Sequence, residues 1–192
     1  MEYIKRESIC ETNDEISEEI VKAGLERIRA CYQCGTCSGG CPSGRRTAMR
    51  TRAVIRKALL GIDEVLEDPD IWLCSTCYTC YSRCPRHVPV TDIIIMLRNL
   101  ATQKGFIRPS HKGLTHMLID TGHGVPIAKG EGGEKWRKLR ESYDLPSLPP
   151  TVHSHDDALK EVKTLVKSLA FDELVEYGKE EEKKEEKKDE KK

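Results

Sequence analysis

The sequence predicts a mostly α-helical protein in which two loops of matching design lie between helices. Two cysteine runs share one grammar: Cys31-x-x-Cys34-x-x-Cys37-x-x-x-Cys41-Pro42 and Cys74-x-x-Cys77-x-x-Cys80-x-x-x-Cys84-Pro85. The segments around them carry apolar residues at helical spacing. No convincing alternating strand occurs in the 192 residues.

The duplicated run is the ligand pattern for two [4Fe–4S] clusters. Each iron of a cubane takes one thiolate. Three closely spaced cysteines wrap one side, and the fourth ligand comes from elsewhere in the chain. The proline after each fourth cysteine fixes φ and turns the backbone away. In two-cluster ferredoxins the fourth cysteine of each run serves the other cluster. The expected sets are therefore Cys31, Cys34, Cys37 and Cys84 for the first cluster, and Cys74, Cys77, Cys80 and Cys41 for the second. Zinc fits poorly, because its sites use paired CxxC units rather than a tight CxxCxxC triple. A disulfide framework suits a short secreted chain, but Met1–Cys10 has no apolar core of the kind a signal peptide needs. Cys10, the ninth cysteine, reads as an incidental reduced thiol.

The elements follow in order. Asn13 or Ser17 can cap a short helix through Ala23, with Ile16 and Ile20 on one face and Gly24 as its stop. Between the runs, Thr47–Leu60 reads as a helix ended by Gly61, and Asp63–Glu67 as a shorter one before Pro69. Thr91 can cap a helix from Asp92 to Lys104. That helix places Ile93, Leu97, Leu100 and Ala101 on one face, yet Ile94, Ile95 and Met96 carry apolar surface around it. Such a helix is either central or pressed against a partner. Pro109 suits the first position of a helix to about Thr121. Gly122, Gly124 and Pro126 break the chain, and Glu134–Tyr143 reads as a short helix. A stiff linker at Pro146, Pro149 and Pro150 follows. The last element spans Asp156–Tyr177, with Leu159, Val162, Val166 and Leu169 as an apolar stripe. The expected divisions are an N-terminal arm with a short helix (1–27), a two-cluster core (28–105), a C-terminal helical extension (106–177) and a disordered Lys/Glu tail (178–192). That tail sets seven Lys against seven Asp or Glu and has nothing to bury.

Composition narrows the function. Net charge is zero, so no global field points to nucleic acid or an anionic membrane. No apolar stretch approaches the ~18–20 residues that span a bilayer, and the expectation is a cytoplasmic protein. Hydrophobic residues reach only 38%, with two Phe and two Trp, so bound clusters are expected to organise much of the fold. Gly35, Gly39, Gly40 and Gly44 let backbone approach the cluster sulfurs. Tyr32, Trp72, Tyr78 and Tyr81 flank the cysteines as shields or as plain packing. Arg45, Arg46, Arg50, Arg52, Arg56 and Lys57 form a basic run that offsets negative clusters, meets an acidic partner, or is a solvated helix face. The six histidines, His87 included, lie in no zinc or catalytic spacing. No nucleotide or flavin motif and no nucleophile–base pair stands out, so no catalytic residue is expected.

CYQCGTC-x3-CP, the spacer ending in DPDIWLC, and CYTCYSRCP together resemble the C-type, iron–sulfur subunit of CoB–CoM heterodisulfide reductase from methane-forming archaea. The resemblance runs from about Ile16 to Tyr177. The core also resembles the α-helical ferredoxin domain of succinate dehydrogenase and fumarate reductase iron–sulfur subunits, without cysteines to spare for their [2Fe–2S] centre. The Cys-Cys-Gly motif of the disulfide-reducing, B-type subunit is missing, as are the features of the flavin-binding, A-type subunit. The resemblance implies an electron relay between the A-type and B-type subunits of the soluble heterodisulfide reductase used in methanogenesis, whose A-type subunit bifurcates electrons. It also implies a larger complex with a hydrogenase or formate dehydrogenase. Two other readings stay open on the residues alone. One is an equivalent relay in another multisubunit anaerobic oxidoreductase; the other is a cluster-stabilised binding or sensor module without redox turnover.

Overall fold

The computed structural model describes residues 14–125, 131–150, 152 and 155–177. Cys10, Pro126 and the Lys/Glu tail at 178–192 lie outside the described residues. The chain divides at Phe106/Ile107 into two compact units. Ten α-helices and two 3-10 turns make up the described elements, and no strand forms among the described residues.

In the first unit, α1 (Asp14–Lys22) buries Ile16 and Ile20, the two positions its spacing places on one face. A 3-10 turn, Glu26–Ala30, buries Ile28 and delivers the chain to Cys31. The short α2 (Thr36–Gly39) lies inside the first cysteine run. Next, α3 (Thr51–Leu59) buries Val54, Ile55 and Ala58. It begins four residues later than its sequence suggests. Thr47 instead closes a turn, its hydroxyl donating to the Ser43 carbonyl at 2.9 Å and accepting from Met49 N–H at 3.2 Å. The Arg50 guanidinium then donates to the carbonyls of Gly44, Thr47 and Met49, satisfying acceptors that a helix would have used.

The small α4 (Glu64–Glu67) contributes Val65 and Leu66 to the core. A second 3-10 turn, Pro69–Leu73, is capped by Asp68, whose carboxylate accepts from Asp70 N–H at 3.0 Å and pairs with Lys57 at 2.7 Å. It delivers the chain to Cys74 as the first turn does to Cys31. Then α5 (Thr79–Ser82) repeats α2 within the second run and packs against it.

The centre is α6 (Val90–Gln103), which packs on α3, α4, α5 and the second 3-10 turn. Ile93, Ile94, Leu97 and Ala101 are all fully buried. A helix apolar nearly all round is central here, within its own unit. Thr91 is not its cap. The helix starts at Val90 after Pro89, and Thr91 is completely buried inside it.

The second unit holds α7 (Pro109–Thr121), α8 (Glu131–Glu141), α9 (Asp156–Ser168) and α10 (Phe171–Leu174). Its buried apolar centre is small, formed by Ile119 and Val175. Polar ties to α7 supplement it: His116 Nε2 lies 2.8 Å from the Val175 carbonyl, Tyr177 donates to Asp120, and Lys112 pairs with Glu176. The single helix expected over Asp156–Tyr177 is two helices, because Ala170 adopts φ +50° between them. The apolar stripe stops short for the same reason. Leu159, Val162 and Val166 are half-buried, whereas Leu169 is 76% exposed.

Leu97→Ala removes a side chain from the middle of the first unit and is expected to destabilise it by about 2–5 kcal/mol. Leu165→Ala, at a 60% exposed position, should stay within about 0.5 kcal/mol. Anaerobic urea unfolding of the two variants checks the contrast.

Candidate iron–sulfur site

The repeat in sequence is a repeat in backbone. In each run the residue before the second cysteine takes positive φ (Gln33 63°, Thr76 51°), as does the residue after it (Gly35 83°, Tyr78 58°). That second reversal starts the four-residue helix carrying the third cysteine. Gly35 adopts it freely, while Tyr78 carries a left-handed penalty of about 1–3 kcal/mol. The Tyr78 hydroxyl donates to Asp92 Oδ1 at 2.9 Å, which anchors the strained residue to α6.

The described cysteines are unpaired thiols that line two cavities. One is walled by Cys31, Cys34, Cys37 and Cys84 together with Gln33, Arg52, Ile55, Val88 and Val90. The other is walled by Cys41, Cys74, Cys77 and Cys80 together with Thr51, Tyr78, Thr91 and Ile94. The two cavities are alike in extent and in their four thiols. Each cavity thus takes three cysteines from one run and the fourth from the other. Neither wall contains a carboxylate or an imidazole. Among the described residues no three such donors converge on a position for a single metal ion; the thiols are spread around the walls.

The polar groups around the sulfurs also repeat. Thr36 and Thr79 each place a hydroxyl 3.4 Å from the preceding cysteine, Cys34 and Cys77. These hydroxyls lower both thiols from their ordinary range. The fourth cysteines each accept a backbone N–H at 3.3 Å, Cys41 from Gly44 and Cys84 from Val88. Of the third cysteines, Cys80 is buried and Cys37 half-buried. Burial pushes the Cys37 thiol up to about 11 and raises Cys80 as well. A thiolate at these positions therefore needs a bound cation to stabilise it, as iron does. Soft sulfur ligands in fours, N–H groups aimed at them, hydroxyls beside them, and apolar walls together fit a [4Fe–4S] group.

Several contributors were not visible in the sequence. Buried Thr91 places its hydroxyl 3.4 Å from Cys80 Sγ. Gln33 donates its amide to Cys31 Sγ at 3.3 Å, and its Oε1 is buried without a partner. Arg98, half-buried and lowered by that burial, donates to the carbonyls of Ile71 and Cys74 at 2.9 and 2.5 Å. It also stacks over Trp72 at 5.7 Å, which locks the approach to the second run. The tyrosines are mostly not shields: Tyr32, Tyr78 and Tyr81 are 60%, 44% and 43% exposed. Buried Ile55, Val88, Val90 and Ile94 screen the cavities instead. The basic run splits by role, with Arg50 on carbonyls, Lys57 on Asp68, Arg52 at the first cavity, and Arg45, Arg46 and Arg56 exposed.

Residues 27–88 match the family described as "4Fe-4S dicluster domain". The chain is 46% identical over 164 residues to the C subunit of the H2:CoB–CoM heterodisulfide,ferredoxin reductase of Methanothermobacter marburgensis, covering 85% of this chain and 86% of that protein. It is 48% identical over 155 residues to the iron–sulfur C subunit of the CoB–CoM heterodisulfide reductase of Methanopyrus kandleri, covering 80% and 78%. It is also 48% identical over 173 residues to the C2 subunit of the H2/formate:CoB–CoM heterodisulfide,ferredoxin reductase of Methanococcus maripaludis, covering 86% and 91%.

A Cβ on Gly44 meets the Met49 carbonyl oxygen at 2.8 Å, with Cys41 Cβ at 3.4 Å. Gly44→Ala must therefore shift the turn that carries Cys41, and it should lower the iron and acid-labile sulfide bound per chain. Gly39→Ala, with nothing within 4 Å of its Cβ, should bind as much as the wild type. Colorimetric iron and sulfide assays after anaerobic reconstitution decide between these outcomes.

Proposed function

The chain belongs to the family of C-type, iron–sulfur subunits of heterodisulfide reductase, and we propose that it relays electrons between the flavin-bearing and the disulfide-reducing subunits of that enzyme. It is an iron–sulfur component of an oxidoreductase that acts on a disulfide. The observation that carries the relay reading is the pair of like cavities, each lined by four thiols and each completed by a cysteine of the other run. This grouping supports two [4Fe–4S] clusters, one held by Cys31, Cys34, Cys37 and Cys84 and the other by Cys74, Cys77, Cys80 and Cys41.

When bound through four thiolates, such a cluster takes up and releases single electrons and leaves no iron open to a substrate. The residues of this chain do the rest. Thr36, Thr79, Thr91, Gln33 and the N–H groups of Gly44 and Val88 stand beside the ligating sulfurs, where hydrogen bonds favour the reduced, more negative state. Ile55, Val88, Val90 and Ile94 keep water from the inner walls. Reducing a disulfide takes two electrons and two protons, and this sequence has no Cys-Cys-Gly motif and no flavin motif to gather them. Substrate chemistry therefore belongs to the partner. The relatives' names join heterodisulfide to ferredoxin, H2 and formate, which supports a larger complex with a hydrogenase or formate dehydrogenase. No described helix is long and apolar enough to cross a membrane.

Ligand crossover is tested by Cys84→Ser. The variant should damage the cluster held by Cys31, Cys34 and Cys37, and site-resolved EPR reads which signal is lost. Loss of the signal tied to Cys74, Cys77 and Cys80 would overturn the assignment. The relay role is tested by anaerobic heterodisulfide reduction with an artificial donor. The reconstituted chain alone should give no turnover, and adding the disulfide-reducing subunit should confer it. Robust turnover by the chain alone would contradict the relay and require a substrate site within it.

A further inference from the structure

We infer that Arg98 is a positioning residue for electron transfer: its guanidinium is the built-in counter-charge of the cluster held by Cys74, Cys77 and Cys80, and it raises that cluster's affinity for an electron. The inference rests on the cluster reading above and adds which side chain acts on the second site by its charge.

Arg98 lies on α6 and reaches back to the second 3-10 turn. Its Nε–H donates to the Ile71 carbonyl at 2.9 Å, and a terminal N–H donates to the Cys74 carbonyl at 2.5 Å. Its central carbon stands 5.7 Å from the Trp72 ring centre. These contacts hold the cation beside the first cysteine of the second run and fix where its charge sits.

All three partners are neutral. A guanidinium fork commonly meets a carboxylate, which fills its donors and cancels its charge together. Here two carbonyls and an aromatic face take up the side chain and leave the charge whole. Among the described residues no ion pair includes Arg98. Acids of the adjoining turn and of its own helix are engaged elsewhere, Asp68 with Lys57 and Asp92 with the Tyr78 hydroxyl. Arg50 also donates to carbonyls, but it is exposed, and water screens its charge. Arg98 is half-buried, and its chain neighbour Leu97 and its partner Ile71 are fully buried. A charge withdrawn from water costs free energy unless an opposite charge answers it.

The second cluster is the group that answers it. Burial disfavours the Arg98 cation, and a thiolate at Cys74 favours it. A cubane held by four thiolates is a net anion, and reduction makes it more negative. A fixed cation beside one of its ligands therefore stabilises the reduced state more than the oxidised one. Hydrogen bonds to the sulfurs act in the same direction as dipoles. Arg98 differs from them in kind, because it brings a full charge.

The test is an anaerobic redox titration of the full cluster-loaded chain, followed by EPR at high salt, where exposed charges are screened. The signal that Cys77→Ser removes or alters marks the second cluster, whichever run completes its ligand set. Arg98→Gln removes the charge and should lower that cluster's electron affinity about 10-fold, or about 59 mV for one electron. The first cluster's potential should move less. Arg98→Lys keeps the charge but breaks the fork, and should stay near the wild-type potential. Arg56→Gln removes an exposed charge from α3 and should leave both potentials unchanged. If Arg98→Gln holds too little of the second cluster to titrate, iron content decides. Full occupancy with the wild-type potential in Arg98→Lys then supports the counter-charge, whereas equal loss in both variants makes Arg98 a strap only and overturns it. An unchanged second potential in Arg98→Gln, or an equal shift in Arg98→Lys or in Arg56→Gln, also overturns it and leaves the two clusters standing. A wild-type chain that binds no cubane at Cys74, Cys77 and Cys80 removes the cluster reading and this inference with it.

Discussion

Each cavity needs a sulfur from both cysteine runs, and the first unit is arranged around that demand. Cys84 must reach the wall formed by Cys31, Cys34 and Cys37, while Cys41 must reach the wall formed by Cys74, Cys77 and Cys80. The two short helices inside the runs consequently pack against each other, with α3 against the first and α6 against the second. Its burial of Ile93, Ile94 and Leu97 supplies apolar contact that a chain with only two Phe and two Trp has few other ways to obtain. A cluster bound in such a unit would couple to folding, because the thiols lining each cavity come from segments that only the folded chain brings together.

Duplication brings a second physical consequence. Two backbones of one design could hold two equivalent groups, and a relay between equivalent groups has no preferred direction. Side chains break the equivalence. The second wall includes Thr51 and Thr91, the first includes Arg52, Val88 and Val90, and Gln33 stands where the other loop has Thr76, whose hydroxyl turns back to the Ser75 carbonyl. Backbone thus sets the ligand geometry, and a handful of polar side chains distinguishes the two ends.

Much of this was legible in the sequence, for identifiable reasons. Helices α1, α6 and α7 carried apolar spacing and clear stops, and all eight motif cysteines were marked by their spacing. What escaped depended on contacts between distant residues. Thr91 reads as a cap because threonine before a helix usually is one; its role follows from Cys80 lying across the packed interface. Arg50 belongs to a helical-looking segment, and only the Gly44 turn folded against it shows why the helix starts late. Arg98 sits 24 residues from the Cys74 carbonyl it supports. Leu169 continues the apolar period of α9 while Ala170 turns the chain out of it, a backbone change that no periodicity registers.

Crossed ligation by interlocked loops is tested most directly by an anaerobic redox titration of the reconstituted chain followed by EPR. Two [4Fe–4S] signals are expected, with different midpoint potentials. At full reduction their lines should broaden through magnetic coupling, since both groups would share one small helical unit. A single cubane per chain, or two signals that reduce together and stay uncoupled, would contradict the pair of crossed and inequivalent sites.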